Sequence, residues 1–213
     1  MSDLWQGGGL PGLQQGWSGT RSFLMNRSAV QYNPAMREWL AQYKFRGHES
    51  MGPLLAQMMN YAMRAMAEEL REKSAASWDF FDVVTFVPVS EERMLERGFN
   101  QSRALAYGAA SAARAPVLEL LGRSRHTEKQ SSKNRRQRLL ELEGVYLPLP
   151  DALDKLKGFL LSKHLVQYPV RLLLIDDVYT TGSTMDTCAS VLQGLCRELG
   201  RSAEIYSLTW ARS

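Results

Sequence analysis

At 213 residues, 45% apolar and 23% charged, the chain has the balance of a folded globular protein with length enough to bury a core. No apolar run nears the roughly 20 residues of a membrane span, and the Gly-rich start lacks the basic flank and apolar stretch of a secretory signal. The net charge of +4 is local: from Arg123 to Arg138 seven cations face Glu128 alone, a +6 that leaves −2 for the rest and suits an anionic ligand or nucleic acid better than a solvated loop.

Residues 1–30, rich in Gly, Ser and Gln and without periodicity, read as a flexible segment, so the folded domain is expected at 31–213. The string Gly7-Gly8-Gly9-Leu10-Pro11-Gly12 matches G-x-G-x-x-G, but no strand precedes it and no helix follows, which removes it as a dinucleotide motif. Helices are predicted over 34–43 and 53–70, the second with Leu54, Leu55, Met58, Met59, Ala62, Met63, Met66 and Leu70 on one face, a pattern of core packing. A buried strand over 82–89 ends in a turn, a helix rich in Ala and Leu covers 100–114, and a short strand covers 117–121. The basic stretch 123–138 reads as a loop. An inserted helical segment over 148–169 places Leu153, Leu156, Phe159 and Leu160 in helical spacing.

The nearly continuous apolar run 170–175 is expected of a central parallel strand covered on both faces. The helix over 183–199 carries a stripe of Met185, Cys188, Ala189, Leu192, Leu195, Cys196 and Leu199, and 203–210 closes the chain as a strand. Cys188 and Cys196 stand about 12 Å apart along that helix, too far for a disulfide, and read as buried thiols of a reducing cytoplasm. Strands alternating with helices give an α/β domain with a mostly parallel central sheet flanked by helices.

Chemistry concentrates in Leu172-Leu-Leu-Ile-Asp-Asp-Val-Tyr-Thr-Thr-Gly-Ser-Thr184, where an apolar strand ends in two carboxylates and a hydroxyl-rich loop opens a helix. Ligands of open α/β sheets bind beyond the carboxyl ends of the strands, and a helix N-terminus there presents free N–H groups to an anion. Thr180, Thr181, Ser183 and Thr184 add hydroxyl donors, and Gly182 lets the backbone come close. Asp176 and Asp177 would repel a phosphate unless they meet sugar hydroxyls or a Mg²⁺ ion, so the set describes a phosphorylated ribose. A receiver domain also uses paired aspartates, but near its start, whereas here only 36 residues follow Asp177.

That string resembles the ribose-phosphate motif of the type I phosphoribosyltransferases. Further upstream, Tyr43-Lys-Phe-Arg-Gly47, Pro88-Val-Ser-Glu-Glu-Arg93 and Glu96-Arg-Gly-Phe-Asn-Gln101 resemble the ComF family of ComFC-like competence proteins, as does the series Arg123, Thr127, Gln130, Arg138, Gly144 and Tyr146. The resemblance runs from about residue 33 to the end. It implies a phosphoribosyltransferase-like fold that binds 5-phosphoribosyl-1-pyrophosphate, or ribose 5-phosphate, with Mg²⁺. It puts the loop Val87–Ser90, with Val89 and Ser90 as ligand contacts, near the pyrophosphate and Arg93 as its charge partner, Asp176 and Asp177 at the ribose hydroxyls as the catalytic pair, and Thr180, Thr181, Gly182, Ser183 and Thr184 at the 5-phosphate. It makes Arg123, Arg125, Lys129, Arg135, Arg136 and Arg138 part of a mobile loop that closes over substrate.

The chain departs from the family in three places. Many members carry a four-cysteine zinc ribbon at the N-terminus, but no cysteine precedes Cys188, so no zinc site is assigned; Glu141 stands where the family usually has Asn; and 148–169 is longer than the usual connection. Lys44 and Arg46 divide evenly between ligand contact and surface, as do Asn100 and Gln101 between helix capping and ligand contact. His48, His126 and His164 are scattered singly and read as neither ligands nor catalysts.

Three functions fit this reading. The first is a cytoplasmic protein of natural transformation, held near the inner membrane by competence partners, that binds phosphoribosyl pyrophosphate and single-stranded DNA. The second is an active phosphoribosyltransferase, and the third a non-catalytic ligand sensor. The basic stretch holds no aromatic residue, so DNA would be held by salt-sensitive phosphate contacts, with Phe45 and Phe99 the nearby stacking candidates.

Overall fold

Residues 21–45, 51–74, 80–124, 144–163 and 169–213 are described by a computed structural model. In chain order its elements are β1 (Met25–Gln31), α1 (Pro34–Phe45), α2 (Gly52–Ser74), β2 (Val83–Phe86), α3 (Glu91–Arg97), α4 (Gln101–Ala113), β3 (Leu121–Arg123), β4 (Tyr146–Pro148), α5 (Ala152–Ser162), β5 (Val170–Tyr179), α6 (Ser183–Glu198) and β6 (Ala203–Arg212). Strands β1, β6, β5 and β2 lie side by side in that order and every neighbouring pair is parallel. The architecture is α/β with a parallel central sheet flanked by helices, consistent with the phosphoribosyltransferase-like fold expected from sequence.

Because side chains alternate along a strand, β5 feeds two cores at once. Leu173 and Ile175 join the cluster built by α1, α2 and α4, whereas Leu172 and Leu174 join the one built by α5, α6 and the β3–β4 hairpin. All four are fully buried, each worth about 1.5–3 kcal/mol by transfer from water. The methionine stripe of α2 packs inward as expected, with Met59, Met63 and Met66 buried; Leu54 is the member that stays exposed. Helix α4 crosses α2 at Gly108, where an added Cβ would lie 2.5 Å from the Ala56 carbonyl oxygen, so the two backbones touch there.

Three elements differ from the sequence reading. Strand β1 lies inside the segment read as flexible, at the edge of the sheet against β6. It escaped notice because it is largely polar: Asn26 donates to Ser207 at 2.9 Å and Ser28 shares a hydrogen with Thr209 at 2.6 Å, and of that face only Val30 joins the apolar core. The strand expected at 117–121 makes only a bridge from Val117 to Val84, and the regular pairing comes later, where β3 runs antiparallel to β4. Helix α3 follows the turn after β2; Ser90 caps its start, and Gly98, at φ 77°, ends it in the left-handed conformation that glycine adopts without cost. The inserted segment holds α5, which buries Ala152, Leu156 and Leu160 in the second core.

Candidate functional site

Parallel strands bring their carboxyl ends to one edge of the sheet, and there β5 outlasts its neighbour. Strand β2 stops with Phe86 opposite Ile175, while β5 stays paired with β6 as far as Tyr179 and Arg212. Residues 176–179 therefore have one open edge, and a cleft of about 190 Å³ forms on it. Alternation sends the two carboxylates to opposite faces. Asp177 follows Leu173 and Ile175 toward the first core and meets Lys44 of α1, Nζ to Oδ2 2.5 Å. Asp176 follows Leu172 and Leu174, and its Oδ1 accepts from Ser102 Oγ and from the Asp177 N–H, each at 2.9 Å.

The cleft is a ring of cations around these acids. Lys44, Arg93, Arg97 and Arg123 line it together with Asp176 and Asp177, so a bare ring carries more positive than negative charge and favours an anion. Burial first, then the neighbouring Asp177 charge, pushes the Asp176 carboxyl up to about 7. Burial, then the nearby charge of Arg93, lowers the pKa of Arg97, whose guanidinium donates to Gln101 Oε1 at 2.8 Å. Arg123 stacks loosely on Tyr146, 5.8 Å from the ring centroid, and its buried Nε has no hydrogen-bond partner among the described residues. Such a buried donor costs about 1–3 kcal/mol unless an acceptor arrives. Tyr146 is itself pushed up to about 12, by burial first and then by Cys188 and Asp176, so its phenol stays protonated at neutral pH.

A divalent cation fits the acids only in part. No three His, Cys, Asp or Glu side chains converge among the described residues, so protein groups alone do not make a cage. The oxygens on offer are those of Asp176 and Asp177, and burial, then the Asp177 charge, keeps the first of these protonated up to about 7, so a divalent cation here would need further oxygens from outside the protein.

The residues expected at the site divide accordingly. Val89, Arg93, Arg123, Asp176, Asp177 and Thr184 line the cleft together. Ser90 spends its side chain capping α3, accepting from the Arg93 N–H at 3.3 Å. Thr180 and Thr181 are exposed beyond the lining, where Thr181 Oγ1 and Ser183 Oγ share a hydrogen at 2.9 Å. Gly182 turns the loop at φ 81°. Arg123 belongs to a strand rather than to the loop read from 123 onward, and Arg125, Lys129, Arg135, Arg136 and Arg138 lie outside the described residues, as do Arg46, Glu141 and the three histidines. Asn100 caps α4, accepting from Arg103 N–H and donating to the Val87 carbonyl. Phe99 packs edge-on against Tyr43 at 5.1 Å.

Sequence reasoning did not single out Arg97, Ser102 or Tyr146 as site residues, and left Lys44 and Gln101 open. The available signal was the run Arg97-Gly98-Phe99-Asn100-Gln101, whose Gly and Asn mark a helix stop and a helix start that turn both ends toward the cleft.

No protein-family model matches the chain. Over 188 residues it is 32% identical to the competence protein ComFC of Bacillus subtilis (strain 168), a match covering 88% of this chain and 64% of that protein. Over 168 residues it is also 32% identical to the competence protein ComFC of Streptococcus pneumoniae (strain ATCC BAA-255 / R6), covering 79% of this chain and 61% of that one. The chain thus spans less than two thirds of the length of these relatives.

Proposed function

We propose that this chain, which is ComFC-like over most of its length, is a competence protein of the ComF family whose cleft binds 5-phosphoribosyl-1-pyrophosphate together with Mg²⁺. The observation that carries the reading is the ring of Lys44, Arg93, Arg97 and Arg123 around two adjacent carboxylates at the open edge of β5. In this arrangement Asp176 and Asp177 accept from the ribose hydroxyls. The 5-phosphate rests on the N–H groups that open α6, and the pyrophosphate meets the arginines and the unpartnered Arg123 Nε. Mg²⁺, when bound, adds charge neutralisation at the pyrophosphate.

Binding is the reading we favour over turnover. Tyr146 is the one aromatic residue in the described lining, so an incoming base would find a single stacking surface. The role follows as one in natural transformation, with single-stranded DNA meeting the cations of 123–138 through its phosphates.

Calorimetric titration with phosphoribosyl pyrophosphate and Mg²⁺ tests the site. Wild type is expected to bind, while Asp177→Asn and the Thr181→Ala, Thr184→Ala double variant are expected to lose binding and keep the folded circular-dichroism spectrum. Normal binding by both variants would reject the site assignment. For DNA, neutralising Arg135, Arg136 and Arg138 is expected to flatten the salt dependence of single-strand affinity. An unchanged slope would remove the basic stretch as the contact.

A further inference from the structure

The loop that opens α6 is backed by residues from far outside it. The ring of Tyr179 lies under Gly182: a Cβ added there would fall 2.5 Å from the phenol oxygen, so the loop rests on that hydroxyl. Tyr179 is 4% exposed, and its oxygen accepts a hydrogen bond from the Arg21 guanidinium. Next to Arg21, the Ser22 N–H donates to Asp186 Oδ1 at 2.6 Å, and Gln193 Nε2 donates to the Ser22 carbonyl at 2.9 Å. The segment ahead of β1 is therefore strapped along the first three turns of α6.

Charge gives the strap a purpose. Asp186 stands in the first turn of α6, where a carboxylate steadies an empty helix end but repels an arriving phosphate. The strap answers that acid with the Ser22 N–H, and it brings the Arg21 cation to the phenol beneath the loop. We infer that Arg21 and Tyr179 are positioning residues for a phosphomonoester at the α6 loop, and that they set affinity for the 5-phosphate end of the ligand independently of its pyrophosphate end. This rests on the phosphoribosyl reading of the cleft. Arg21 acts from behind the loop through Tyr179, whose hydroxyl carries the contact to Gly182.

Two probes separate the ends of the ligand: ribose 5-phosphate alone, and inorganic pyrophosphate with Mg²⁺, each titrated into the full chain by calorimetry. Tyr179→Phe and Arg21→Gln are expected to weaken ribose 5-phosphate by about 5- to 20-fold, the size of one lost charge-assisted contact. Pyrophosphate affinity is expected to stay within about twofold, and Arg21→Lys to recover part of the loss by restoring the charge. Equal loss for both probes, or none for either, would overturn the inference while leaving the cleft reading in place. Wild type that binds pyrophosphate but not ribose 5-phosphate would overturn the strap and the loop assignment together. Wild type that binds neither would sink the proposed function, and the strap with it.

Discussion

The acidic half of the cleft and its cationic half are built in different ways. The carboxylates and the hydroxyl loop come from one uninterrupted stretch of chain, the end of β5 and the start of α6. The cations come from α1, α3 and β3, elements far apart in sequence that meet only because both faces of the sheet are covered. Covalent connectivity fixes the first half, since a strand, a left-handed glycine and a helix leave the loop little freedom. Packing fixes the second, so its geometry depends on residues that never touch the cleft.

The largest effect should come from the element that serves both halves. Leu173 is fully buried under the first core. Leu173→Ala is expected to cost about 2–5 kcal/mol, read as a lower urea midpoint, and to reduce both ribose 5-phosphate and pyrophosphate affinity near the transition. A loss below about 1 kcal/mol would mean that β5 is not the shared floor.

A change at the α2–α4 crossing should reach both halves from outside the cleft. Gly108→Ala places a methyl against the Ala56 backbone, where no flexible side chain can yield. It is expected to destabilise by about 1–3 kcal/mol and to shift α4, which carries Ser102 and Gln101 to the cleft. Both affinities should fall, because α4 holds Arg97 through Gln101 and Asp176 through Ser102; loss of ribose 5-phosphate affinity alone would argue against packing as the control of the cationic half.

The third test is smaller in size but has a definite sign. The Asp176 carboxyl is held protonated up to about 7 in the folded chain against an ordinary value of 3.8, so the folded state holds the extra proton between those values. Stability therefore falls as pH rises through that window, the opposite of a salt-bridged acid. Asp176→Asn keeps an acceptor for Ser102 and removes the charge. It is expected to raise the melting temperature at about pH 8, with the gain vanishing near pH 4. A variant less stable at pH 8 would show that the charge is already compensated in the empty cleft. A gain would mark Asp176 as an acid kept at a cost to the fold, as residues that serve a ligand often are.

Much of the fold was legible because its signals are local. The run from Val170 to Ile175 is apolar on both faces, and the stripe of α6 repeats at helical spacing, so a central strand and a covering helix follow from the residues alone. Strand β1 was not legible, because Asn26 and Ser28 turn inward to bond Ser207 and Thr209 of β6, and Val30 alone makes no apolar period. Helix α3 buries none of its residues, so it too lacks an apolar face to announce it.

The same division holds for the candidate site. The sequence by itself determined the strand, the paired aspartates, the glycine turn and the helix that follows, since each is set by neighbours within a few residues. Only the tertiary structure decided that Lys44 pairs with Asp177, that Ser102 donates to Asp176, that Arg97 and Arg123 face the same cleft, and that Arg21 lies beside Tyr179. Those contacts join residues brought close by packing across the sheet, and no local period or spacing records which distant side chains a shared core will bring together.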